Sequence, residues 1–323
     1  MLLWFRQVPF PLTSMSNNPT YFERQFCPLC GHPAADATPF MSSQPRAEDM
    51  PFDEKETLYR SYSSDRTFFT FYRCPSCQGL FCRTYFSEDQ LQQLYTHQAE
   101  NMSAVSLANR ARTQQGYFRM LKKHAKLDGQ LLELGPDIGL FTQCCVEQGH
   151  FEKFWLYEPN VDVHDALRKA MGQSEFFLTQ RPYTASDMPE QSLSTAVLIH
   201  VLDHILNLES LLNDLHRSLK PGGLLFIVTH DEASLLSRLL RHRWPPYAIC
   251  HTQLFSPVSI TRSLKKFGFE VVSVEKCPNE FTIGYLANSL LTIMGVTSAS
   301  RVFPDILPVR VQLGNIATFA RRI

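Results

Sequence analysis

Four of the nine cysteines fall into two short knuckles, Cys27-Pro28-Leu29-Cys30-Gly31 and Cys74-Pro75-Ser76-Cys77-Gln78-Gly79. Each is a Cys-x-x-Cys pair with proline inside and glycine close behind, a spacing that lets two thiolates and nearby backbone N–H groups converge on one tetrahedral ion. Four thiolates close the coordination shell, so Cys27, Cys30, Cys74 and Cys77 predict a structural Zn2+ rather than a catalytic one. In a reducing compartment that reading outweighs a disulfide framework. Cys82, Cys144, Cys145, Cys250 and Cys277 have no paired spacing and read as small buried hydrophobes.

A second kind of chemistry sits at Leu131-Leu132-Glu133-Leu134-Gly135-Pro136-Asp137-Ile138-Gly139. An apolar strand ending on an acid breaks into a glycine turn, and a helix can start at Leu140. That is how α/β proteins bring backbone close to a nucleotide-like ligand. Glu133, just before the turn, suits a cationic or hydroxyl-bearing cofactor better than a pyrophosphate. Asp137 stands where a glycine is expected, and Asp is among the few residues that tolerate positive φ. Glu158 follows the turn by about 20 residues, the separation at which a carboxylate meets ribose hydroxyls. Beyond the ends of the next strands come His200, His230, Asp231, Tyr247 and His251. Strand C-terminal ends are where ligands bind in open α/β sheets, which favours His200 and His230 as bases.

The elements that must position these groups follow from pattern. In the first module, Thr67–Arg73 and Leu80–Arg83 are aromatic or β-branched enough to be ribbon strands, with Ala34–Arg60 a loop between the knuckles. Ser87-Glu88-Asp89-Gln90 starts a helix. A longer helix spans Ala104–Lys126, its basic face either solvated or with part of the helix covering the cofactor or an anionic substrate. Strands over 131–133, 154–158, 175–178, 195–200, 224–229 and 269–274 then alternate with helices over 140–147, 161–171, 208–219 and 256–267. That rhythm predicts a doubly wound, mostly parallel sheet. An apolar helix over 283–296 suits a lid, a homodimer face or a lipid-contacting patch, and 314–320 would be a last strand. The expected organisation is a disordered tail over 1–20, a zinc-ribbon-like module over 21–87, a helical linker over 88–126 and an α/β domain over 127–323.

Composition excludes some partners. Lys plus Arg equals Asp plus Glu, 31 each, so no global field attracts nucleic acid or an anionic membrane. No run reaches the roughly 18 apolar residues needed to span a bilayer, and the opening Met1-Leu2-Leu3-Trp4-Phe5 is too short for a secretory core. A cytoplasmic location is expected.

With these residues assembled, the chain resembles the class I S-adenosylmethionine-dependent methyltransferases over roughly 127–322. The resemblance rests on Leu132–Gly139, on Glu158, on Ile199-His200-Val201-Leu202-Asp203-His204-Ile205, and on the loop Leu219-Lys220-Pro221-Gly222-Gly223. The front half is similar to bacterial methyltransferases that carry an N-terminal zinc-binding module and often modify sugars, glycans or secondary metabolites. The resemblance implies S-adenosylmethionine as cofactor and a small-molecule or saccharide acceptor. Glu133, Gly135, Asp137 and Gly139 would face its amino acid part, Glu158 its ribose, and His200 would lie beside it. Thr184 and Ala185 would stand at the adenine amine, where the family has an acid; Asp187 is the nearest substitute. His200, His230 and His251 are the catalytic candidates, and His242–Tyr247 resembles a substrate-covering loop or, equally, a rigid surface turn. Two other readings remain open. One is an RNA methyltransferase whose zinc module grips RNA, against which the balanced charge argues. The other is a non-catalytic cofactor-binding scaffold, motivated by Asp137 and Thr184.

Overall fold

The computed structural model describes residues 21–61, 67–95, 105–294, 303–304 and 306–323. The tail expected over 1–20 lies outside them.

The first module opens with β1 (Phe22–Glu23) and the first knuckle, then β2 (Thr38–Met41) and α1 (Phe52–Ser61). Both occupy the stretch expected to be a loop. β2 is the outer strand of its sheet, where Pro39 leaves no ladder donor missing. α1 begins after Pro51 with Asp53 and Glu54 in its first turn, favourable to the helix dipole. It is held by packing rather than periodicity: Tyr59 is 2% exposed and meets Phe86 edge-on at 5.9 Å. β3 (Phe71–Arg73) and β4 (Leu80–Cys82) flank the second knuckle, and β5 (Thr84–Tyr85) pairs with β1. α2 (Glu88–Tyr95) follows a capping box in which Gln90 N–H donates to Ser87 Oγ at 3.3 Å and Ser87 N–H donates to Gln90 Oε1 at 2.9 Å.

The body begins with α3 (Leu107–His124), capped by Ser106. Then come β6 (Asp128–Leu134), α4 (Leu140–Gln148), β7 (His150–Tyr157), α5 (His164–Met171), β8 (Phe176–Thr179), β9 (Leu193–Ile199), α6 (Leu208–Ser218) and β10 (Leu219–His230). α7 (Leu235–Leu240), β11 (Gln253–Leu254), α8 (Pro257–Lys266), β12 (Phe269–Thr282), α9 (Ile283–Ile293) and β13 (Pro308–Arg322) complete it. Seven strands form one sheet in the order β12-β13-β10-β9-β6-β7-β8. The strands from β10 to β8 are parallel, and β13 runs antiparallel to both neighbours. The order reverses between β6 and β9, which places a ligand crevice at their C-terminal ends. The Lys220–Gly223 loop is a bulge inside β10, where the register with β9 shifts between Leu219 and Leu224. Gly223 is required there, since a Cβ would fall 2.8 Å from the Lys220 carbonyl.

β12 and β13 outrun the expected strands and pair from Phe269–Arg322 to Thr282–Pro308, carrying Asn279, Glu280 and Phe281 over the crevice. The helix expected over 283–296 runs Ile283–Ile293 with Ile283 and Leu290 exposed; residues 295 and 296 lie outside the described ones. Among the described residues no helix is long and apolar enough to cross a membrane.

Module and body share one interior. β11, from the body, adds to β4, so the four-stranded sheet runs β11-β4-β3-β2. Arg24 is buried at this seam and donates to the carbonyls of Cys82, Thr252 and Leu206, to Thr252 Oγ1 and to Gln253 Oε1, all at 2.8–3.1 Å. Arg73 forms a two-pronged pair with Glu232, both bonds 3.0 Å, and Glu232 is buried. Trp244 and Tyr247 sit against the aromatics of β3 and its approach, with Tyr247 5.7 Å from Phe68 and 5.6 Å from Phe71. The segment expected to cover a substrate therefore buries its aromatics in this seam.

Candidate functional site

The four knuckle cysteines converge: all four Sγ atoms lie within 4.8 Å of one another, with Cys27–Cys77 at 3.7 Å and Cys30–Cys74 at 3.5 Å. No cysteine among the described residues is in a disulfide. A tetrahedron with Zn–S bonds of 2.3 Å has edges of about 3.8 Å, so the donor set and its spacing fit a zinc ion. Each knuckle is a turn closed from Gly31 N–H to Cys27 O (2.8 Å) or Gln78 N–H to Cys74 O (3.0 Å), and Gly79 N–H points at Cys77 Sγ (3.4 Å).

At the switch point of the large sheet a narrow cleft is floored by Glu133 and Gly135–Ile138, walled by Ile199 and His200, and roofed by Arg110, Thr113, Gln114 and Tyr117 of α3 with Asn279–Phe281 of β12. Part of α3 thus covers the cleft. Gly135 (φ 65°), Asp137 (φ 53°) and Gly139 (φ 79°) make the turn, and Asp137 adopts the left-handed conformation its type allows. A Cβ on Gly135 would sit 2.8 Å from Val201, and one on Gly139 2.7 Å from Leu167. Glu133 is buried and accepts from Thr142 Oγ1 at 2.6 Å; burial pushes its carboxyl up to about 8, against the pull of that bond.

Glu158 stands beneath the turn. Its Oε2 accepts from Asp137 N–H (2.8 Å) and its Oε1 from Asn160 N–H (2.9 Å), and burial raises its pKa. It couples the ends of β6 and β7, and each oxygen keeps a lone pair for a hydroxyl. Neither Glu158 nor Gly139 lines the cleft. Thr184 accepts from Ser186 N–H as a cap, and Ala185 is buried. Asp187, the substitute acid, accepts from Tyr157 Oη (3.1 Å) and Arg181 (3.4 Å).

Beside the cleft the structure assembles a group that the sequence showed only in pieces: His200, Asp203, His204, His230, Cys250 and His251. His200 follows β9 at φ 53°, an uncommon conformation for a non-glycine residue and a form of strain found at functional positions. Ring centroids lie at 4.7 Å for His200–His230, 5.2 Å for His230–His251 and 4.7 Å for His204–His251. Burial holds these imidazoles neutral: His200 and His251 are lowered to about 4, His204 to about 3, and His230 well below its ordinary value. His200 Nδ1 and Gln114 Oε1, both facing the cleft region, are buried without a hydrogen-bond partner, as expected of a surface shaped for a polar ligand.

Sequence reasoning missed Asp203, His204, Asn279 and Asn315. Asp203 and His204 stood inside the quoted Ile199–Ile205 stretch, four and five residues beyond the end of their strand's apolar run at Ile199, which was the available signal. The asparagines carry no local signature.

A family model described as "Methyltransferase domain" matches residues 107–274, just over half of the chain. Among solved structures, an S-adenosylmethionine-dependent methyltransferase from Mesorhizobium loti shares 15% identity over 64% of this chain and 98% of its own, at a TM-score of 0.45. A protein from Pyrococcus horikoshii shares 16% over 68% and 92% at 0.46, and a methyltransferase from Methanosarcina mazei 16% over 63% and 97% at 0.42. No curated protein matches the chain significantly.

Proposed function

The chain belongs to the methyltransferase-domain family, and from that premise we propose that it methylates an oxygen or carbon nucleophile of a small-molecule or saccharide acceptor at the histidine cluster. The observation that carries this reading is His200, strained at the end of β9, lining the cleft on one side and touching His230 on the other.

S-adenosylmethionine, when bound, supplies an electrophilic methyl on a sulfonium. The chain's own residues do the rest. Glu133, ionising beside a cationic ammonium, anchors the amino acid end at the base of the turn. Gly135 lets backbone approach closely, and Glu158 offers its remaining lone pairs to ribose hydroxyls while holding Asp137 in place. Thr184 and Ala185 stand toward the adenine, with Asp187 committed to Tyr157 and Arg181. The cleft encloses about 80 Å³, below the ~300 Å³ at the low end of small-molecule sites, so α3 or the Asn279–Phe281 edge must move outward to admit a nucleoside. At the other end His200, His230 and His251, neutral at physiological pH, receive the acceptor's proton as the nucleophile attacks in line. The Cys27, Cys30, Cys74 and Cys77 cluster holds a structural Zn2+ that stiffens the sheet to which β11 adds.

Calorimetric titration of the zinc-analysed chain with S-adenosylmethionine tests the reading. Saturable binding is expected, weakened by about 1.5 to 3 kcal/mol in Glu158→Ala, the usual cost of losing hydrogen bonds to a charged group. A screen of hydroxylated and carbon-acid acceptors then follows. Absence of binding by the metal-loaded chain would refute the proposal. Tight binding with no turnover on any acceptor would favour a non-catalytic scaffold, and salt-dependent RNA binding an RNA acceptor.

A further inference from the structure

The imidazoles beside the cleft are organised in a way that proton transfer does not require. His230 Nδ1 lies 3.0 Å from Asn315 Oδ1. That oxygen belongs to a chain of amides in which Asn315 Nδ2 donates to Asn279 Oδ1 at 2.8 Å and Asn279 Nδ2 donates to Tyr117 Oη at 3.0 Å. With Asn315 Oδ1 facing it, the His230 ring carries its proton on Nδ1, and Nε2 keeps a free lone pair. His251 Nδ1 is fixed the same way on the Pro246 carbonyl (2.7 Å), and His204 Nδ1 on that of Cys250 (2.8 Å). Anchoring one ring nitrogen on a carbonyl-type oxygen is how proteins orient imidazoles that ligate a metal through the other.

Asp203 adds a second, independent sign. It is 1% exposed, its Oδ2 accepts only a long 3.3 Å bond from His230 N–H, and its Oδ1 has no partner. A buried carboxylate oxygen left bare is costly unless something positive meets it. One ring nitrogen each from His200 and His230 and one carboxylate oxygen of Asp203 lie within 4.8 Å of one another. A bonded shell at 2.0–2.1 Å has edges of about 3.4 Å, so the three need draw in by at most about 1.4 Å through side-chain rotation.

We propose that His200, Asp203 and His230 form a second metal site, distinct from the cysteine cluster, that binds one divalent ion of the Zn2+, Fe2+ or Co2+ type. Two imidazoles and one carboxylate on one side of an ion leave its other positions open, here toward the cleft. The donor set suits borderline first-row ions rather than Mg2+ or Ca2+. Its consequence for catalysis rests on the methyl-transfer reading: with an ion on His200 and His230 those two rings no longer take the acceptor's proton, the ion acidifies the acceptor oxygen in their place, and His251 remains as base.

The test titrates Co2+ into the full chain as purified, with zinc retained by the cysteines. One Co2+ per chain is expected, with weak ligand-field absorption and no thiolate charge-transfer band. His200→Ala removes a ligand that makes no hydrogen bond of its own, and Asp203→Asn keeps the shape; both should abolish stoichiometric uptake. Asn315→Ala frees the His230 tautomer and should weaken Co2+ about 10- to 100-fold. Absence of uptake, unchanged uptake in both ligand variants, or thiolate bands on the added ion would each overturn the site. Uptake by a chain that transfers no methyl would refute the reaction and leave the site standing. Turnover by a chain that binds no Co2+ would do the reverse.

Discussion

The cysteine cluster and the histidine cluster are both sets of ligand-type side chains, yet they are built in opposite ways. The cysteines come as two local pairs, each inside a turn that fixes its geometry before any tertiary contact, and their Sγ atoms already stand near tetrahedral spacing. The histidines come from the ends of β9 and β10 and from the segment before β11, and only the finished sheet brings them together. The first arrangement fits four thiolates closed around one ion, a shell with no room for a substrate. The second stops short of closure and faces a cleft. Local preorganisation is what a structural centre needs; assembly from several elements leaves positions open for chemistry.

Removing a knuckle ligand should act on stability. For Cys74→Ser we expect zinc content to fall to zero and the module to lose its fold, since metal binding supplies on the order of 10 kcal/mol of folding energy in small zinc modules. Elemental analysis and limited proteolysis between residues 21 and 95 would show it. A variant that keeps protease resistance without zinc would mean that the aromatic seam, not the ion, holds the module.

The histidine side should respond in activity rather than stability. His200→Gly is expected to reduce kcat by about 100- to 10,000-fold, the range for losing acid–base help. Because φ 53° suits glycine, the same change should leave the melting temperature unchanged or raise it, relieving strain of about 1 kcal/mol. Lower activity with lower stability would reassign His200 to a packing role.

How much of this was legible beforehand follows from the same contrast. The knuckles, the turn after β6 and the apolar cores of β6, β7, β9 and β10 are local patterns, and each appears where its residues predict it. The partners of the histidines are not local. Asn279 lies on an extension of β12 whose mixed exposure gives no clean alternation to read, and Asn315, inside an expected strand, meets its partners only across strands. β11 is two residues long and exists because β4 offers an edge. β2 and α1 were hidden by a composition rich in Pro, Ser and charge, and they form because aromatics such as Tyr59 and Phe86 pack between them and β5. Tertiary contacts decide such elements, and no window of sequence contains them.

The seam joining the two clusters gives a smaller effect. Arg73→Ala would leave Glu232 buried without its two-pronged partner, at a cost of about 3 kcal/mol. Chemical denaturation should register that loss while zinc content stays at one per module. Glu232→Gln beside it should recover much of the stability, because the remaining group is no longer charged. If the double variant is no better than the single one, the seam depends on Arg24 and the aromatics instead.

The gentlest test uses pH and the cleft floor. Glu133 has an ordinary value of 4.5 and is raised by burial to about 8. Between those values the folded chain keeps a proton the unfolded chain has lost, so stability of the cofactor-free chain should decline as pH rises through that window. A cationic ammonium beside Glu133 reverses the preference and expels the proton. Affinity for S-adenosylmethionine should therefore climb with pH below about 8, approaching tenfold per unit, and then fall again as the cofactor's own α-amino group, near 7.7–8.0, loses its charge. Calorimetry in buffers of different ionisation enthalpy should count close to one proton released at pH 6.5. In Glu133→Gln the release and the climb should both vanish, although hydrogen bonding to Thr142 remains possible. A climb that survives the substitution would place the ammonium elsewhere and make the turn, rather than its acid, the anchor of the cofactor.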